Sequence, residues 1–109
     1  MLRRGRFRSD RGITLPLTAL GLVPLLAAAA LAVDVGGWYA RAAQIQRAAD
    51  AAALAGVTYL PQGVARAQAE AERVAERNGF DPDTDGITVS VAQVTGTSNR
   101  LRVSITVDE

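Results

Sequence analysis

Apolar residues run from position 13 to 33 with no charge among them, and then the rhythm of the chain changes. An uninterrupted apolar run of 21 residues rises about 31 Å as a helix, close to the roughly 30 Å of a bilayer's hydrocarbon core. The pattern predicts a transmembrane helix over 13–33. Pro24 lies inside it and removes one helical hydrogen bond, which predicts a bend there. From 34 to 60 there is no proline, and the stretch 40–55 is rich in strong helix formers. The helix is therefore expected to extend beyond the span to residue 60, about 70 Å in all if unbroken. Gly36-Gly37 is its weak point, and Pro61 followed by Gly63 ends it.

The remainder, 64–109, alternates on shorter periods. Val64, Ala67, Ala71 and Val74 recur at helical spacing, opposite Arg66, Glu70, Glu72, Arg73, Glu76 and Arg77. They predict a helix over 64–78, with Asn78-Gly79 as its stop and Phe80 packing back on the last turn. Ile87, Val89 and Val91 alternate with Thr88 and Ser90. Leu101, Val103, Ile105 and Val107 alternate with Arg102, Ser104 and Thr106. With the turn-rich link 95–99 between them, these runs predict a β-hairpin. A lone hairpin is marginal in water, so its apolar face needs a cover: the 64–78 helix, the long helix or another chain. The predicted class is α+β: a long N-terminal helix, a short helix and a hairpin. Four segments follow: 1–12 as a basic arm, 13–33 as the span, 34–60 as the helical extension, and 64–109 as a small α-β-β unit.

Small residues recur at spacing four along the long helix: Ala28, Ala32, Gly36, Ala40, then after Gln44, Ala48, Ala52 and Gly56. Such a ridge lets two helix backbones approach closely, and it predicts a packing surface for other helices, including those of a second copy. Asp50 interrupts the Ala-rich part of the helix. It reads as a solvated acid, as a partner of Arg47 one turn earlier, or as a polar contact that fixes register with a partner.

Charge orients the span. Residues 1–12 carry five arginines against Asp10, net +4, while 34–109 carry seven arginines against ten acids, net −3. Arginines beside an apolar span are held on the cytoplasmic side, so the N-terminus is expected inside and the C-terminus outside. That reading displaces a nucleic-acid one for the basic arm. Trp38 and Tyr39 follow the span by about one turn, where amphipathic rings favour the headgroup layer.

The chain has no His and no Cys. The commonest general base, the thiolate nucleophile and the usual transition-metal ligands are all missing. The remaining polar residues form no catalytic spacing, so no enzyme, small-molecule substrate or cofactor is expected. Asp81, Asp83 and Asp85, followed by Gly86, resemble the opening of a calcium loop. The acid such a loop needs at its twelfth position is Ala92 here, and Pro82 favours a plain turn.

Two short strings suggest processing. Gly12 before Ile13-Thr14-Leu15 is similar to the start of type IV prepilins, and a cut after Gly12 would make the chain a pseudopilin-like filament subunit. Their usual Glu at the fifth mature position is Leu17 here. Ala30-Leu31-Ala32 fits a signal-peptidase site, which would release a secreted binding module.

Residues 34–39 and 44–56 carry the most specific resemblance. Asp34, Gly36 and Tyr39 match a D-x-G-x-x-Y step. Gln46, Ala48, Ala49, Asp50, Ala51, Ala52, Ala53, Leu54, Ala55 and Gly56 match a following Q-x-A-A-D-A-A-A-L-A-G segment. The chain resembles, over residues 12–60, the membrane module of TadG-like proteins of Flp (tight adherence) pilus assembly. The resemblance implies a bacterial plasma (inner) membrane protein that crosses once and takes pilus-assembly or pilin helices as partners, with no catalytic role. Many such proteins carry large external domains, so this chain is either a short member or a piece of one. The layout of long helix and small sheet is also pilin-like.

Overall fold

A computed structural model describes residues 11–108 of the chain. The basic arm up to residue 10 lies outside the described residues. The chain divides into two compact units, Met1–Trp38 and Tyr39–Glu109.

Helix α1 covers Arg11–Tyr59 and contains both Pro16 and Pro24. Gly36-Gly37 does not interrupt it. In the first unit every side chain from 12 to 38 is exposed. Leu15 is 81% and Val33 73% accessible. This run is therefore not the core helix of a globular domain, which would be mostly buried.

The second unit holds the end of α1, helix α2 (Val64–Arg77) and strands β1 (Ile87–Gln93) and β2 (Leu101–Val107). A short 3-10 turn, Leu60–Gln62, with Pro61 in its first positions, closes α1, and Gly63 turns the chain with φ +115°. The Arg66 guanidinium lies 5.6 Å above the centre of the Tyr59 ring, linking the end of α1 to the start of α2. At the other end of α2, Gly79 adopts φ +92°. Its N–H bonds the carbonyl of Glu76, and the N–H of Phe80 bonds that of Ala75. This paired closure satisfies the last carbonyls of the helix and delivers Phe80 into the core.

The core-facing positions of α2 are Ala67, Ala71 and Ala75. The sequence pattern had placed Val64 and Val74 there with two of these alanines. Val64 is instead exposed at the first turn, and Val74 only flanks the core. On the outer face Arg73 pairs with Glu70, as the spacing predicts, through Nε at 3.1 Å and through Nη2. The hydrogen bond from Arg73 holds the Glu70 carboxyl below its usual range. Arg73 is exposed and Glu70 partly covered, so the pair stays near solvent, weakens with salt and adds little stability.

β1 and β2 pair antiparallel, Ile87 against Val107, Val89 against Ile105 and Val91 against Val103. The apolar residues of both strands thus share one face. That face packs on Ala48 and Ala52 of α1, Ala71 and Ala75 of α2, and Phe80. The hairpin finds its cover within the chain.

Candidate functional site

The ridge of small residues has two environments. In the second unit Ala48 and Ala52 are buried, at 2% and 0% exposure, and Gly56 is buried with them. A Cβ placed on Gly56 would lie 2.5 Å from Leu101 Cδ2, 2.9 Å from the Ala67 carbonyl oxygen and 3.0 Å from Ala71 Cβ. This close approach is what small residues at spacing four permit, and α2 supplies the matching alanines. At Gly56 the ridge meets α2 and Leu101 of the same chain, and Ala48 and Ala52 share the core with Ala71, Ala75, Phe80 and the hairpin's apolar face.

In the first unit Ala28, Ala32 and Gly36 are exposed, and a Cβ on Gly36 would meet nothing within 4 Å. Ala40, at the start of the second unit, is exposed too. These four positions remain open to another helix.

The motif residues separate in the same way. Gln46, Asp50 and Leu54 lie one turn apart along a face beside the buried ridge. Gln46 Nε2 donates to Asp50 Oδ1 at 2.9 Å, and both residues are exposed. Leu54 is 70% accessible, unusual for a leucine beside a core. Asp34 and Tyr39 are exposed as well, as is Trp38.

Leu54 and Asp50 form one wall of a groove of about 500 Å³, with Ala53 and Val57 beside them. Arg100, Leu101, Arg102 and Val103 form the other wall. Sequence reading missed this groove because residues near 54 and near 102 meet only once the hairpin has folded onto α1. The one signal available was a large apolar residue, Leu54, within a run of alanines.

The acidic turn is tied together by its own hydrogen bonds. Asp83 N–H donates to Asp81 Oδ1 at 2.9 Å, and Thr84 N–H to the Asp81 carbonyl at 3.0 Å. The carboxylate of Asp81 is thus used to close the turn. Among the described residues no group of three metal-ligating side chains converges. Gly12 and Ile13, the candidate processing positions, lie exposed at the start of α1.

Among the described residues one helix is long and apolar enough to cross a membrane. The family model for Flp pilus-assembly proteins of the TadE/G-like type matches residues 12–76. The match takes in α1 and nearly all of α2. No curated protein and no solved structure matches the chain.

Proposed function

We propose a function from the premise that the chain belongs to the TadE/G-like Flp pilus-assembly family. It takes part in Flp pilus assembly as a single-pass component of the bacterial plasma membrane. The N-terminus is cytoplasmic and the 39–109 unit lies outside. The protein acts through helix packing rather than chemistry. The observation that carries this reading is the uncharged run of 13–33, helical and exposed at every position. In water such a surface would aggregate, whereas lipid or another apolar helix covers it without cost. Five arginines on the N-terminal side support the orientation.

Within the span, the open part of the ridge is where a partner helix packs. Lipid tails are as apolar as leucine, so association there depends on close backbone approach rather than on hydrophobicity. Ala32→Leu combined with Gly36→Leu should fill the approach. Photocrosslinking from a benzophenone side chain at Leu25, in membranes of the native host, measures it. The adduct yield should fall about tenfold, the loss of roughly 1.4 kcal/mol of packing. Ala30→Leu, on the opposite side of the helix, should leave it unchanged. An undiminished adduct in the double variant would remove the ridge from the account.

A further inference from the structure

The two edges of the hairpin are not equivalent. Asp108 N–H bonds the Gly86 carbonyl at 2.8 Å, and Val94 N–H bonds that of Arg100 at 3.0 Å. These pairs flank the ladder, and the register alternates between them, so the even-numbered residues exchange the inter-strand bonds. The odd-numbered residues direct their N–H and C=O groups outward. On β1 one such group is covered, because Gln68 Nε2 of α2 donates to the Val91 carbonyl at 3.0 Å. On β2 the outward groups of Leu101, Val103, Ile105 and Val107 bond no described residue. The sheet ends there. β2 also has no proline, glycine or bulge to blunt its edge.

The groove runs beside this open edge. Its apolar walls, Leu54 and Val57 on α1 and Leu101 and Val103 on β2, would receive the inward side chains of a further strand. On the exposed face Arg100 and Arg102 form no ion pair with a described residue. They place two positive charges along the edge, against the single carboxylate of Asp50 on the α1 side of the groove.

We propose that β2 accepts an extended strand from a partner protein, one whose side chains alternate between apolar and acidic. Main-chain hydrogen bonds to the outward groups hold the strand, and the groove takes its apolar side chains. Its acidic side chains lie across from Arg100 and Arg102, at the distance of cross-strand neighbours. A second copy of this chain fits less well, because β2 carries no acidic residue to offer Arg100 and Arg102.

The test uses the full chain in lipid nanodiscs and two fluorescent peptides as long as β2, 7 residues. Valine alternates with glutamate in one and with lysine in the other. The glutamate peptide should bind saturably and about tenfold more tightly than the lysine peptide, and Arg102→Glu should reverse that order. Val103→Pro removes one outward N–H and no ladder bond, so it should weaken binding about tenfold. A glutamate peptide N-methylated at alternate residues should lose binding in the same way, with no change to the protein. Failure of both peptides to saturate at millimolar concentration would overturn the proposal. So would equal affinities, or indifference to N-methylation. Disulfide crosslinking of two copies through Ser104→Cys would overturn it in favour of a second copy.

Discussion

Gly56→Val is expected to destabilise the 39–109 unit strongly. Helix propensity argues the other way, since replacing a mid-helix glycine by alanine gains about 1 kcal/mol. Space decides the sign. A Cβ at this position would meet Leu101 Cδ2 at 2.5 Å and the Ala67 carbonyl oxygen at 2.9 Å. The leucine methyl can move aside. The carbonyl belongs to the backbone of α2 and moves only if the two helices separate. Overpacking of this kind costs about 1–3 kcal/mol for small additions, so Gly56→Ala should already lose stability on balance. Valine adds two further methyls in the same gap and should cost about 3 kcal/mol or more. A unit of this size has only about 4–10 kcal/mol in total. Thermal proteolysis of the full chain in detergent should show the midpoint falling about 15 °C for valine and less for alanine. An unshifted midpoint for Gly56→Val would mean that α1 and α2 are not in contact at this residue.

Phe80→Ala should be as damaging, for the opposite reason. The core of the unit is built mainly from alanines, and no large side chain in it is wholly buried. Phe80, at 7% exposure, is the one large residue among its buried members. Truncating a buried phenylalanine costs about 3–5 kcal/mol, and little else in this core could collapse into the gap. Phe80→Leu keeps most of the volume and should cost only about 1.5 kcal/mol. The same proteolysis assay should rank the wild type first, Leu next and Ala last. Equal midpoints for Leu and Ala would show that Phe80 acts through the helix cap rather than through packing.

The elements themselves were legible, because each has a strong period and a chemical stop. The 13–33 run, the Pro61-to-Gly63 break, the Asn78-Gly79 cap and the alternation of β1 and β2 all appear where the sequence places them. What pairs with what was less legible. A ridge of alanines announces close approach but not the partner. Gly56 meets α2 and the hairpin, and Ala48 and Ala52 lie in the core that these elements enclose. A signal for this was present in the sequence, since Ala67, Ala71 and Ala75 repeat at the same spacing of four. Valines at 64 and 74 outweighed Ala75 in the reading, because alanine is nearly neutral in hydrophobicity while its small size is what the interface uses. Pro82 and the missing twelfth-position acid favour a plain turn at 81–85, and Asp81 Oδ1 does accept a bond from Asp83 N–H within it. The groove beside Leu54 depends on residues some fifty positions apart, so no local pattern could show it.

The family match and the exposed apolar run both bear on membrane topology. The natural chain has no cysteine, so single cysteines report without background. Thr84→Cys lies in the exposed turn before β1, and Ser9→Cys lies in the basic arm. The decisive measurement is labelling of each variant by a membrane-impermeant maleimide in spheroplasts of the native host. The account predicts that Thr84→Cys is labelled in intact spheroplasts and Ser9→Cys only after lysis. Labelling of both before lysis, or of Ser9→Cys alone, would contradict it.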